Sequence, residues 1–346
     1  MEVACVVKAD AYGHGALEVS RVLLAEGARW FAVSSVDEGV QLRTAGLIGP
    51  RILVMGGFLE FESDAVVEHD LTPVVHSPEQ IRIVGQLAGA TGKPIAYHLK
   101  IDSGMGRLGT RAAAADIANA IAAAPHARLE GLMTHFASAA DYTSGQTAGQ
   151  LDYFHSVCRQ LDEAGIRPAH VHTSSTIPIA YARRDAWHSL VRAGHALYGY
   201  VSPARGDAPP PVLRVAPALT WKARILAVKE LPEGALIGYG GTFRTPRPMR
   251  IGVIGAGYAD GIFHRLSNRG KVIADGKITP ILGTISMDLT TIDLSHTTAL
   301  GPGDPVTLLG REGDCALDAQ QIARVAGTIS YNILCSISAR VRRVYT

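Results

Sequence analysis

The 346-residue chain is 47% hydrophobic and 18% charged, and 33 basic against 31 acidic residues leave a net charge of +2. It is long enough for two domains with their own cores, too apolar to be disordered, and lacks the charge excess that draws a protein to nucleic acid or an anionic membrane. No apolar run approaches the ~20 residues of a membrane span, no basic segment and long apolar core mark a secretory signal, and Cys5, Cys158, Cys315 and Cys335 form no CxxC pair, so a zinc site and a disulfide framework are not expected and the cytoplasm is the expected compartment.

The first strand-like run, Val3–Val7, ends on Lys8 and runs into Ala9-Asp10-Ala11-Tyr12-Gly13-His14-Gly15. A lysine delivered by a strand into a glycine-bearing loop is a candidate site, because a desolvated amine acts as nucleophile, base or Schiff-base anchor. Further strand-like runs follow at Trp30–Ser34, Arg51–Met55, Thr72–Val75, Ile95–Ile101, Leu129–Thr134, Ala169–His172 and Ser189–Arg192. Helical patterns separate them at Ala16–Gly27, Asp37–Ala45, Pro78–Ala90, Ala112–Ala124 and Gly145–Gly165, with weaker ones at Glu60–Glu68 and Ile177–Arg183. Gly27, Gly46 and Gly165 stand where helices terminate. Short buried strands alternating with helices give a parallel sheet, and eight of them give a (β/α)8 TIM barrel.

Periodicity alone leaves a doubly wound sheet open. The barrel is favoured by Lys8, Arg107, His135, Thr176 and Arg192, which all fall at or just past strand C-termini. In a barrel these positions converge on one face, whereas in an open sheet they spread along an edge. Only seven helices separate strands one and eight. Tyr200–Val212, with Pro209-Pro210-Pro211, reads as a linker, so the outer ring has a gap beside strands eight and one. Beyond it, Leu219–Glu230, Arg250–Gly255, Gly270–Ala274, Pro280–Leu282, Thr290–Leu294 and Pro305–Leu309 read as short strands, and Gln320–Ala326 as a helix. The expected fold is α/β: an N-terminal barrel over 1–212 and a C-terminal mainly β domain, a small barrel or sandwich, over 213–346.

Five motifs carry the chemistry: Val7-Lys8-Ala9-Asp10-Ala11-Tyr12-Gly13-His14-Gly15, His98-Leu99-Lys100-Ile101-Asp102-Ser103-Gly104-Met105-Gly106-Arg107-Leu108-Gly109, Thr134-His135-Phe136-Ala137, Val191-Arg192-Ala193-Gly194 and Gly257-Tyr258-Ala259-Asp260-Gly261. In order and spacing, along nearly the whole chain, they resemble the alanine racemases, enzymes that use pyridoxal 5'-phosphate. The resemblance implies that Lys8 anchors the cofactor and is one catalytic base, with Tyr258 the second base on the opposite face. A phenol near its reference pKa of about 10 is a weak base, and the resemblance makes His135 its hydrogen-bonding partner, with Arg192 behind. Arg192 is implied to face the pyridine nitrogen, where a donor-only, permanently charged group keeps that nitrogen unprotonated.

The same resemblance gives the phosphate to the Tyr12 and Thr176 hydroxyls and the backbone of Gly194 and His195, a set suited to a dianion. It gives the substrate carboxylate to Arg107 and to the backbone at Met287, within Ser286-Met287-Asp288, and matches Lys100 to a lysine often carbamylated, so that it becomes an anion able to orient Arg107. It further implies a head-to-tail homodimer in which Tyr258 and Met287 of one subunit meet Lys8 of the other, a small amino-acid substrate, and D-alanine supplied for peptidoglycan. His14, Asp37-Glu38 and the cysteines read as scaffold, and His172 reads equally as a neighbour of the cofactor ring or as a satisfied core histidine.

Three departures stand out. Family members begin ~30 residues before Met1, and that segment supplies a strand to the second domain and a helix to the barrel, so an exposed apolar patch beside strands eight and one is expected. His195 replaces a more usual aliphatic residue. Ala339 stands where some members carry a tyrosine, which points to tolerance of serine or lysine as substrates. A basic amino-acid decarboxylase of the same fold type is disfavoured by Arg192, where those enzymes carry an acid. A non-catalytic cofactor-binding protein is disfavoured by Tyr258 and the second domain.

Overall fold

A computed structural model describes residues 1–346. Eight parallel strands form the first unit, Met1–Ala11 with Gly15–Ala216: β1 (Glu2–Val6), β2 (Trp30–Val33), β3 (Arg51–Val54), β4 (Thr72–Val75), β5 (Ile95–Lys100), β6 (Ala127–Met133), β7 (His170–His172) and β8 (Leu190–Ala193). Their order is β7-β6-β5-β4-β3-β2-β1-β8, so β1 pairs in parallel with both β2 and β8. The β7–β8 seam has no continuous ladder. Arg192 N donates to Ser174 O at 2.9 Å and Val171 N to Ser189 Oγ at 2.8 Å, which closes the ring. Every strand lies within two residues of its expected position.

The helices are α1 (Lys8–Gly13), α2 (Ala16–Ala25), α3 (Val36–Thr44), α4 (Ser63–Glu68), α5 (Pro78–Thr91), α6 (Ala114–Ala122), α7 (Gln146–Glu163) and α8 (Thr176–Ala180). Their ends follow local chemistry. Ser35 and Ser77 cap α3 and α5 by accepting from Glu38 N and Gln80 N, and Pro78 opens α5. Gly27, Gly46 and Gly165 take left-handed φ just past α2, α3 and α7. Seven of these helices are the expected ones and α1 is an addition. α2 buries only Ser20, so Leu17 and Val22 are exposed, as is Val3 on β1. After β8 a single 3-10 turn, His195–Tyr198, stands in place of a helix, and no helix or strand follows before Trp221. Arg205 N to Ala140 O (2.8 Å) and Val212 N to Ala180 O (2.7 Å) hold that segment on the barrel.

The second unit, Tyr12–His14 with Pro217–Thr346, is antiparallel. It contains β9 (Trp221–Leu231), β10 (Leu236–Ile237), β11 (Phe243–Arg244), β12 (Met249–Ile254), β13 (Lys271–Ala274), β14 (Lys277–Leu282), β15 (Thr290–Asp293), β16 (Pro305–Glu312), β17 (Cys315–Leu317), α9 (Ala319–Ala326) and α10 (Ser330–Ser336). The main sheet runs β13-β14-β15-β12-β9-β16-β17, and a further β13–β16 pairing, Ile273 with Thr307, closes it on itself. Ile225, Ile254, Ile292 and Val306 fill its interior. β10, β11, β17 and α10 are additions to the expected set. The two-residue strands are too short to show an alternation. No helix is long and apolar enough to cross a membrane.

Candidate active site

The barrel unit gathers one group of residues at the C-terminal ends of its strands. β1 delivers Lys8 into α1, which is one turn of left-handed helix: Ala9, Asp10, Ala11 and Tyr12 all have φ between 52° and 54°. That conformation costs roughly 1–2 kcal/mol per L-residue, so neighbouring groups must hold it. Ala11 N donates back to Val7 O at 2.8 Å. Glu38 bridges two strand ends, accepting from Ala9 N and Ser34 N, each at 2.6 Å. Asp10 Oδ1 accepts from Ala16 N at 2.7 Å. The expected role of Glu38 was a helix start, and its carboxylate also clamps the lysine loop. The signal was present in Ser35 capping α3, which aims the first turn at the β1 loop.

Lys100 ends β5 and is buried. Burial, followed by the charges of Arg192, Arg107 and Lys8, brings its ammonium down to about 8. Past β6, burial and then Arg192, Lys100, Arg107 and Lys8 push His135 down to about 3, so it is neutral. Lys8, Lys100, Arg107, His135 and Arg192 therefore lie in one another's field. The nearby Asp102 is occupied, since Oδ1 accepts from the backbone of Gly104, Met105 and Gly106 at 3.0–3.1 Å. Arg107 itself is exposed on that loop. Such a cluster attracts anions.

Arg192 is 2% exposed. Nη1 donates to His172 Nδ1 and His172 O, each at 2.8 Å, and Nη2 to Thr134 O (2.8 Å), Thr173 O (3.1 Å) and His135 Nδ1 (3.3 Å). Both terminal nitrogens are committed to the protein, which leaves Nε–H as the donor able to address a ligand. His172, left open from sequence between a cofactor neighbour and a core histidine, is thus a direct partner of Arg192. Beside β8, Thr176 Oγ1 accepts from Gly194 N and Ala196 N, each at 3.2 Å. His195 is buried with its ring 5.0 Å from that of Tyr200.

The second unit carries its own group. Tyr258 opens a 3-10 turn, Tyr258–Asp260. Its backbone N–H donates to Ser286 O, and that of Ala259 to Met287 O, each at 3.0 Å, so the Tyr258 and Met287 loops are strapped together. Gly257 permits the approach, because a Cβ there would lie 2.3 Å from Met287 O. Gly257 N donates to Asp260 Oδ2 at 2.9 Å, and Arg340 ties Asp260 to Asp288. The side chains are left outward, Tyr258 at 44% and Met287 at 52% exposure. Tyr12 is buried, and burial raises its phenol, so the hydroxyl stays protonated as a donor.

Two family profiles match in succession, "Alanine racemase, N-terminal domain" over residues 1–203 and "Alanine racemase, C-terminal domain" over 218–345. The alanine racemase of Carboxydothermus hydrogenoformans is 38% identical over 344 residues, 99% of this chain and 92% of that protein. The solved alanine racemase of Streptomyces coelicolor A3(2) superposes with a TM-score of 0.92 at 34% identity, covering 99% of this chain and 91% of that one. The alanine racemase of Bartonella henselae, a structure described as having covalently bound pyridoxal phosphate, superposes with a TM-score of 0.88 at 27% identity, covering 100% and 92%.

Proposed function

The chain belongs to the alanine racemase family, and we propose that it interconverts L- and D-alanine with pyridoxal 5'-phosphate as cofactor, supplying D-alanine for peptidoglycan in the cytoplasm. The observation that carries this reading is the donor-rich group at one end of the barrel, in which Lys8, Arg107 and His135 surround the buried Lys100 and Arg192. These residues fit the cofactor. The group is cationic, as an anionic ligand requires. Thr176 Oγ1 gathers the Gly194 and Ala196 amides about its own hydroxyl, a grouping of hydroxyl and backbone N–H that would hold a phosphate once those amides turn to it. Arg192 keeps one N–H uncommitted. Residues 1–212 are the cofactor-binding domain in this reading, and 213–346 supply the second base.

When bound, pyridoxal phosphate supplies an electron sink that acidifies the α-proton of an attached amino acid. Lys8 Nζ would hold the cofactor covalently when no substrate is attached and, as the free amine once the substrate's own amine has displaced it, would move the proton on one face of the substrate. Tyr258 Oη moves it on the other, so two groups flanking one carbon invert it without turning it over. Arg192 donates to His135 Nδ1, so the neutral ring carries its proton on Nε2 and would donate it to the phenol oxygen. Arg192, which only donates, would address the ring nitrogen through its uncommitted Nε–H and leave it unprotonated, which would suppress side reactions that need a protonated ring. The Tyr12 and Thr176 hydroxyls and the Gly194 and His195 amides hold the phosphate. Arg107 and the backbone at Met287 hold the substrate carboxylate.

Lys100, brought to about 8, has a neutral-amine fraction at neutral pH. That amine adds carbon dioxide with loss of a proton, giving a carbamate anion that relieves the crowd of cations and orients Arg107. Tyr258 and Met287 act on Lys8 of a second copy in a head-to-tail homodimer, a reading supported by their exposure. The test is to supply L-alanine and pyridoxal phosphate to the purified protein and measure D-alanine. No D-alanine above a cofactor-only control, in protein that has bound the cofactor, refutes the reading.

A further inference from the structure

Below Arg192, a second set of buried polar groups runs through the barrel and has no part in the scheme above. Arg192 Nη1 donates to His172 Nδ1 at 2.8 Å. His172 Nε2 lies 2.8 Å from His98 Nδ1. His98 Nε2 lies 3.7 Å from Glu130 Oε2, just beyond hydrogen-bonding distance, and makes no hydrogen bond of its own. Glu130 in turn accepts from Arg128 Nη2 at 2.7 Å and from Arg51. His98 and His172 are fully buried, and Glu130 is 7% exposed.

The backbone is shaped for this contact. Tyr97 of β5 pairs with Leu129 of β6, yet His98 pairs with Gly131, so Glu130 is the extra residue of a bulge. Bulges re-aim side chains and are uncommon in parallel pairs. Gly131 makes the room: a Cβ there would lie 2.5 Å from His98 Nδ1 and 2.6 Å from its Cε1.

The two ends of the series dictate where its protons are. Arginine only donates, so His172 Nδ1 holds a lone pair. Burial and then Arg192 hold His172 well below its ordinary range, so the ring is neutral and its one proton is on Nε2. That proton points at His98 Nδ1, which must accept. Burial keeps His98 neutral as well, so its proton is on Nε2 and faces Glu130. Burial works to raise the Glu130 carboxyl, but His98, Arg51 and Arg128 bring it down to about 2, so it is an anion that only accepts. One arrangement of two protons turns a donor toward the carboxylate at one end and a lone pair toward the guanidinium at the other.

We propose that Glu130 and His98 are positioning residues for Arg192: the carboxylate fixes the tautomers of His98 and His172, so that His172 presents a lone pair to Nη1 and holds the guanidinium in one orientation. The logic is that of a carboxylate fixing the tautomer of an imidazole one bond away, extended by a second imidazole. In Glu130→Gln the amide can turn its NH2 toward His98. Both ring protons then reverse, and His172 Nδ1–H meets Arg192 Nη1–H, donor against donor.

The tautomers are read by 15N NMR of histidine-labelled protein without cofactor, which does not depend on the racemase reading. The expected wild-type result is a neutral Nε2–H ring at both positions, and E130Q is expected to move His172 toward Nδ1–H. With cofactor, E130Q is expected to lose about ten- to a hundredfold in kcat for alanine, with KM changed less than about twofold and the visible cofactor band shifted. Glu130→Asp, which still only accepts, recovers part of the loss. A wild-type spectrum with Nδ1–H or a doubly protonated ring at either position overturns the proposal, and so does an E130Q protein that melts lower but keeps wild-type tautomers and kcat. If E130Q does not fold, the wild-type spectra decide. A wild type with the expected tautomers but no D-alanine formation sinks the racemase reading and leaves the relay standing.

Discussion

Replacing Gly257 with alanine tests how the second half of the site is held. The new Cβ lies 2.3 Å from Met287 O, 2.4 Å from Met287 C and 2.4 Å from Ser286 O. All three are backbone atoms, so no side-chain rotation relieves the clash, and the gap must open beyond 3.0 Å. The straps from Tyr258 N to Ser286 O and from Ala259 N to Met287 O, now 3.0 Å each, then stretch past hydrogen-bonding range. Two backbone bonds at about 1 kcal/mol each, together with overpacking of about 1–3 kcal/mol, give a loss of roughly 3–5 kcal/mol. That corresponds to a fall in Tm of roughly 10 °C. Moving Tyr258 by about 1 Å costs about a hundredfold in turnover. In the proposed two-base scheme Lys8 belongs to the other unit, so its proton transfer is expected to be untouched. Exchange of the α-proton with deuterated solvent should collapse from one enantiomer of alanine and persist from the other. Equal exchange from both enantiomers at wild-type rates, or an unchanged Tm, refutes the reasoning.

Tyr258→Phe removes only the hydroxyl from a side chain that is 44% exposed. Tm should hold while D-alanine formation falls by at least about a hundredfold, measured by calorimetry and a coupled assay. Arg192→Lys cannot reach the acceptors on His172, Thr134, Thr173 and His135 with a compact ammonium. Stranding buried acceptors should lower stability by about 2–4 kcal/mol, seen as a shifted urea midpoint without cofactor. Lys100 gives a pH signature. In carbon-dioxide-free buffer its folded pKa, about 8, lies below its ordinary 10.5. Between those values the unfolded chain binds more protons, so stability rises as pH goes from about 8 to 10.5, on the order of 1–2 kcal/mol after solvent screening. Lys100→Met should abolish the rise, and bicarbonate at pH 8 should stabilise the wild type by converting the amine to a carbamate.

Much of this molecule was legible without coordinates. Runs such as Trp30–Val33 and Thr72–Val75 are buried along their whole length, and Ser35, Ser77, Gly27 and Gly165 punctuate the helices between them. Burial pattern and capping are local and repeated, so a barrel of eight strands can be read from them, and with it the end of each strand where Lys8, Lys100 and Arg192 lie. What could not be read is anything that joins distant segments at hydrogen-bonding precision. Lys8-Ala9-Asp10-Ala11 has no glycine and only Asp10 enters positive φ with any ease, so the left-handed turn is held by Glu38 and Asp10. Nothing around Leu129-Glu130-Gly131 announces a bulge, because the extra residue exists only relative to β5. His98 and His172 are 74 residues apart, and their proton positions depend on Arg192 at one end and Glu130 at the other. The amino-acid sequence settles which faces are buried, since hydrophobic burial is broad and forgiving of position. Only the folded barrel settles which polar groups meet, since a buried hydrogen bond depends on tenths of an ångström and on both partners at once.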